Sequence, residues 1–141
     1  MKKARILCLD VGEKRIGIAL SDPGGQVAFP HKVLNRTSVE KDLGTISGEI
    51  EENQIFKLVI GHPISLSGGK SQQTLLTEKF AETLKNKIDI EIILWDERLS
   101  TREADKSLSR MGTKSRKRKD KIDAIAASLI LQNYLDKNRD S

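Results

Sequence analysis

At 141 residues the chain has the size of one ordinary domain, able to bury a single apolar core and too short for two. Its hydrophobic fraction is 37%, with few aromatics, so the core must be aliphatic; no apolar run approaches the roughly 20 residues of a membrane span. The formal net charge of +5 is concentrated in residues 110–121, RMGTKSRKRKDK, whose seven Lys or Arg and one Asp make +6, so the remaining residues sum to −1.

The N-terminus, MKKARILCLD, is basic and then apolar, like the start of a signal peptide. Its apolar part is too short and ends in Asp10 with no small-residue cleavage site, so a cytoplasmic location is expected. Cys8 is the single cysteine, which rules out an intramolecular disulfide; inside an apolar run it reads as a buried thiol. RILCLD (5–10) and RIGIALSD (15–22) read as two strands around a turn-like spacer. DPGG (22–25) is a turn signal, with Pro23 presetting φ and the glycines accepting positive φ. QVAFPHKVL (26–34) follows as a third strand, and Pro30 places it at a sheet edge.

The pattern then changes to strands alternating with helices. Val39, Leu43, Ile46 and Ile50 recur at helical spacing behind Ser38, a natural N-cap. KLVIG (57–61) is a fully apolar strand, and HPISLSGGKSQQ (62–73) a Gly- and Ser-rich loop in which His62 reads as structural. Leu76, Phe80 and Leu84 mark a second helix face, and IEIILW (90–95) a further buried strand with Trp95 in the core. Ala104, Leu108 and Met111 predict another helix, and after the basic segment a last helix is expected from about Asp120 to Asp136. Continuous apolar strands alternating with helices imply parallel pairing with right-handed crossovers. The expected architecture is α/β: a five-stranded mixed sheet, three strands antiparallel and two parallel, with helices packed on it.

Within that scheme the acids cluster. Asp10 ends the first strand, Asp96 and Glu97 end the fifth, and ligands collect beyond the carboxyl ends of parallel strands. Asp123 stands near the start of the last helix, on a face shared with Ala126, Ala127, Ile130 and Tyr134, where two alanines allow close approach to the sheet. Each acid alone has an ordinary reading, as a strand-end acid bonded to turn amides or a first-turn helix acid. Together, carboxylates converging from remote parts of the chain repel one another unless a cation is shared. Oxygen-only donors suit Mg²⁺ or Mn²⁺, and such ions support phosphodiester hydrolysis. The residues themselves leave the choice between Asp96 and Glu97 open.

Four stretches, LCLDVGEKRIGIALSD, LVIGHPISLSGG, LWDERLSTREADKSL and KSRKRKDKIDAIAASLILQNYL, resemble in order and spacing the four motifs of the YqgF family, also called RuvX, a family of pre-16S rRNA nucleases. The resemblance covers nearly the whole chain, as one domain over 1–141. It implies an RNase H-like fold with sheet order 3-2-1-4-5, metal-dependent nuclease activity, 5′-end processing of precursor 16S rRNA, and a cytoplasmic location. It also implies that Asp10, Glu97 and Asp123 are the catalytic acids and hold one or two Mg²⁺ or Mn²⁺ ions. Arg98 and the cluster Arg116, Lys117, Arg118 and Lys119 would then grip nucleic-acid phosphates. The chain departs from the family pattern at Ser100, usually Thr, and in ISLSGG, usually an Asn-rich loop.

Rival readings of the residues are a Holliday-junction resolvase acting on branched DNA, a non-catalytic nucleic-acid-binding module, and an actin-like ATPase, whose first strand also ends D-x-G. The ATPase needs two such domains and a second phosphate loop, for which 141 residues leave no room. Few aromatics argue against base stacking and favour a backbone grip. Replacing Arg116, Lys117, Arg118 and Lys119 together by alanine is expected to weaken nucleic-acid binding for all sequences. The slope of log K against log salt should flatten by up to about 3; an unchanged slope in a filter-binding titration would remove the cluster from the interface.

Overall fold

The alternation of apolar side chains in β1 (Arg5–Val11) and β2 (Arg15–Ser21) builds an antiparallel hairpin in which Asp10 lies opposite Gly17. The computed structural model describes residues 4–65, 67–97 and 116–138, with 116–120 described as backbone. The turn predicted at DPGG forms: the Asp22 carboxylate accepts from the amides of Gln26 at 2.7 Å and Val27 at 2.9 Å, and Gly25 adopts φ +68°. The chain returns as β3 (Ala28–Asn35), an edge strand antiparallel to β2. Pro30 therefore costs no hydrogen bond to a further strand.

At β3 the register slips between Ile18↔Lys32 and Ala19↔Pro30, leaving His31 as an extra residue. His31 and Lys32 consequently both reach the buried Glu49 carboxylate of α1 (Val39–Glu52), at 2.8 and 2.5 Å. The bulge and the lysine blunt an exposed strand edge. Ser38 caps α1 as expected, its Oγ accepting from Lys41 N at 3.1 Å. β4 (Ile55–His62) then runs parallel to β1. α2 (Gln72–Lys87), opened by a Ser71–Thr74 capping box, leads to β5 (Glu91–Asp96), parallel to β4. The sheet order is β3-β2-β1-β4-β5, as the resemblance implied.

Period-two alternation gives the sheet two unlike faces. Leu7, Leu9, Val11, Ile16, Ile18, Leu58 and Ile60 face Ile46 and Ile50 of α1 and Phe80, Ala81 and Leu84 of α2. Ile6, Cys8, Ala19 and Val59 face the last described helix, α3 (Arg116–Lys137), through Ala127, Ile130, Leu131, Tyr134 and Leu135. Trp95 stacks edge-on against Tyr134, with ring centroids 5.1 Å apart, and donates from Nε1 to Asn133 Oδ1 at 3.0 Å. Gln132 ties α3 to the other edge, accepting from Ala28 N at 2.9 Å and donating to Gln26 O at 3.0 Å.

Several expectations need correction. β5 is half-buried, not fully buried, because it is an edge strand with a single sheet neighbour. α3 begins at Arg116, inside the basic segment, since Lys and Arg are good helix formers that carry the helix back past Asp120. Ala124, not Ala126, is buried beside Ala127. The helix expected around Ala104, Leu108 and Met111 lies outside the described residues. Among the described residues no helix is long and apolar enough to cross a membrane.

The close approach of α3 depends on Gly17 in addition to small residues on the helix. A Cβ at Gly17 would stand 1.9 Å from the carbonyl oxygen of Asp123 and 2.3 Å from its carbonyl carbon, so helix backbone lies directly on strand backbone. A clash with backbone cannot be relieved by a rotamer change. Gly17→Ala is therefore expected to destabilise the fold by about 3 kcal/mol, measured as a shift of the urea midpoint. A shift of a few tenths would mean that the helix is free to lift.

Candidate active site

Alternation decides which side chains meet at the carboxyl end of the parallel strands. Cys8 packs on the α3 side, so Asp10, two residues on, points the same way; Ile93 and Trp95 do likewise, and Glu97 continues their series directly after β5. Asp96 falls on the opposite phase, which is how the structure separates two neighbours that the sequence could not. Gly61 of β4 supplies the room between them: a Cβ there would sit 2.8 Å from both Glu97 Oε1 and Ile130 Cδ1. The side chains of Asp10 and Glu97 hydrogen-bond to each other across this gap.

Two carboxyls in contact cannot both ionise without an added charge. Burial, the charge of Asp10, the bond to Asp10 and the charge of Asp96 push Glu97 up to about 8. Burial also raises Asp10, against the lowering effect of the bond from Glu97, and the nearby Asp123 charge raises it further. Near neutral pH and without a cation, the Asp10–Glu97 pair therefore holds one proton between its two carboxyls. Cys8 lies fully buried beneath the pair, and burial, then Asp10 and Glu97, push its thiol well above the ordinary range.

Asp123 reaches the same region from α3, since its backbone rests on Gly17, the register partner of Asp10. Its charge is felt at Asp10, but its carboxylate is engaged elsewhere: Oδ2 accepts from Arg15 Nε at 2.8 Å. Among the described residues no three acidic, His or Cys side chains converge as a ready-made metal cluster. Two of the three expected acids are thus in contact, and the third stands beside them, turned to an arginine.

The strand end carrying Asp10 is braced from the opposite side. The Gln73 side-chain amide donates to Val11 O, and Arg36 donates from Nη1 to Gly12 O at 3.1 Å. Arg36 also donates from Nε to Asp42 at 3.1 Å while its guanidinium lies 5.0 Å over the Phe80 ring. His62, read as structural, faces α2, with Nε2 2.7 Å from Glu78, and Lys70 pairs with the same carboxylate at 3.1 Å. These contacts hold the loops around the acids without touching them.

Arg98, expected on the phosphates, lies outside the described residues. Arg116, Lys117, Arg118 and Lys119 occupy the first turn of α3, two turns before Asp123. Sequence reasoning missed Arg15, Gly17, Gly61 and Gln73. A glycine inside an apolar strand is a signal of close approach and marked two of them; nothing local marked Arg15 or Gln73.

Residues 4–137 match a family model described as "RuvX: Holliday junction resolvase". The chain belongs to the RuvX family. Relatives named "Putative pre-16S rRNA nuclease" include one from Syntrophomonas wolfei, 43% identical over 94% of this chain and 94% of its own length. Another, from Syntrophus aciditrophicus, is 45% identical over 94% of this chain and 88% of its own. This is a family of nucleases, and the chain is a hydrolase of phosphodiester bonds. Among solved structures, RuvC of T. thermophilus in complex with a Holliday junction substrate aligns with TM-score 0.63 and 9% identity, covering 94% of this chain and 95% of that one. That likeness identifies the fold as RNase H-like.

Gly61→Ala tests the spacing of the acid pair in this RuvX-family chain. Its new methyl meets side-chain atoms of Glu97 and Ile130 and no backbone among its three nearest neighbours, so a stability loss of about 1 kcal/mol is expected. Displacing Glu97 from Asp10 should lower the cleavage rate on the order of a hundredfold. Equal rates for Gly61→Ala and the wild type, both folded by circular dichroism, would show that the Asp10–Glu97 contact is irrelevant to turnover.

Proposed function

We propose that this chain trims the 5′ end of precursor 16S rRNA in the cytoplasm, with Asp10, Glu97 and Asp123 as its catalytic acids holding Mg²⁺ or Mn²⁺. The observation that carries this reading is the buried contact between Asp10 and Glu97, with Asp123 near enough to act on Asp10 electrostatically. The donor chemistry fits a hard divalent cation: every available donor is a carboxylate oxygen, and a proton is held between two of them where a cation can replace it. Membership of a family whose members carry the name pre-16S rRNA nuclease supports the choice of substrate.

When bound, a divalent cation supplies polarisation of the scissile phosphate and a water acidic enough to attack it near neutral pH. Asp10, fixed on the central strand β1 and braced through Val11 and Gly12, is the invariant point of the site. Glu97, once deprotonated, would present a carboxylate to such a cation from the end of β5. Asp123 completes the set from α3. Arg98 and Arg116, Lys117, Arg118 and Lys119 hold the phosphates on either side of the cut. Burial of Asp10 and Glu97, with Ile130 of α3 and Glu97 both close to Gly61, keeps their charges poorly screened and would couple them strongly to a cation.

The family description favours a second substrate, the four-way DNA junction. Labelled precursor 16S 5′ leader RNA and a four-way junction, incubated side by side with Mg²⁺, Mn²⁺ or EDTA, separate the two. RNA cutting that needs metal and falls to background in Asp10→Asn is the expected result. Junction cutting alone would move the substrate to branched DNA, and cutting of either that survives Asp10→Asn would remove the acids from the mechanism.

A further inference from the structure

The carboxylate of the third acid, Asp123, is paired with an arginine. Asp123 accepts from Arg15 Nε at 2.8 Å, and among the described residues no three acidic, His or Cys side chains converge. Arg15 opens β2 at the carboxyl end of β1, on the same face of the sheet as Gly17. Its guanidinium shares the acids' edge and is half exposed, with 51% of the side chain accessible, against 29% for Asp123. Among the described residues its Nη nitrogens make no hydrogen bond. The contact is therefore monodentate, and the fork that suits a phosphate is open to solvent.

The helix cannot carry Asp123 away from this place, because its carbonyl lies against Gly17. A change of partner for Asp123 therefore comes from the side chains, its own or that of the half-exposed Arg15. We propose that Arg15 is a substrate-sensing positioning residue: it parks Asp123 until a nucleic-acid phosphate takes its guanidinium, and the freed carboxylate then turns to join Asp10 and Glu97. The inference rests on the acid-site reading above and adds to it an order of assembly. Nucleic acid and cation bind cooperatively, each strengthening the other by the same factor. In the absence of substrate Asp123 stays on Arg15, and Asp10 and Glu97 alone would hold a cation more weakly than the three acids together.

Mn²⁺ affinity of the full chain, measured by calorimetry or electron paramagnetic resonance without nucleic acid, is the direct test. Arg15→Ala frees Asp123 and is expected to bind Mn²⁺ on the order of tenfold more tightly than the wild type, the scale on which groups that orient metal ligands act. Arg15→Lys keeps a cationic partner and should stay near the wild type. The double variant Arg15→Ala/Asp123→Asn should lose the gain. A short phosphorothioate oligoribonucleotide, or a four-way DNA junction in its place, should tighten Mn²⁺ binding to the wild type and leave Arg15→Ala unchanged.

Unchanged or weaker Mn²⁺ binding in Arg15→Ala would make Arg15 a structural staple and overturn the inference. The same gain in the double variant would assign the effect to net charge alone and overturn it as well. Asp10→Asn keeps the two readings apart. Mn²⁺ binding abolished by Asp10→Asn but indifferent to Arg15 sinks only the switch. Mn²⁺ binding indifferent to Asp10, or absent from wild type and Arg15→Ala alike, sinks the acid site and the switch with it.

Discussion

The contact between the backbone of α3 and Gly17 is the constraint on which the rest of the site depends. A helix normally stands off a sheet by the length of the side chains between them. Here one strand position has no side chain, and the carbonyl of Asp123 comes down onto it. Because Gly17 is the register partner of Asp10, this packing event brings the acid of a helix more than a hundred residues away beside the acid of the first strand. The apolar seam of Ala127, Ile130, Leu131, Tyr134 and Leu135 holds the approach along the helix, and Gln132 ties it to the sheet edge.

The same face is made deliberately unlike the other. Toward α1 and α2 the sheet presents Leu, Ile and Val without interruption, which is ordinary core. Toward α3 it presents Cys8, Ala19 and Val59 and then, at the carboxyl end, Asp10, Gly17 and Gly61. Small residues and carboxyls there sacrifice apolar burial, and the loss is made up on the opposite face. Local order at the acids is bought by contacts that never touch them: Gln73 on Val11 O, Arg36 on Gly12 O, and the His62–Glu78–Lys70 group on the loop after β4.

That arrangement leaves electrostatic tension at the centre. Asp10 and Glu97 tolerate each other by sharing a proton, and Asp123 is kept at bay by Arg15. One relieves the repulsion with a proton and the other with a guanidinium. A site built from like charges is stable as a protein only with such compensation.

The strands and most of the helices were legible in the sequence, because period-two and period-3.6 alternation, Ser38 at a cap, DPGG at a turn and Pro30 at an edge are local signals; the strand order came from the family resemblance. Asp10 and the basic segment were legible for the same reason, and the motif resemblance singled out Glu97 and Asp123. The half-burial of β5 was not, since an edge strand and a central one can share a composition. Nor was the phase that turns Glu97 toward Asp10 and Asp96 away, which depends on which face of β5 meets α3. The partnership of Arg15 with Asp123 spans 108 positions and leaves no trace in either local segment. By itself the sequence determined which elements form and which acids are available, because those follow from neighbours in the chain. Only the tertiary structure decided which acids touch and which is held apart, because those distances are set by the packing of one helix on one glycine.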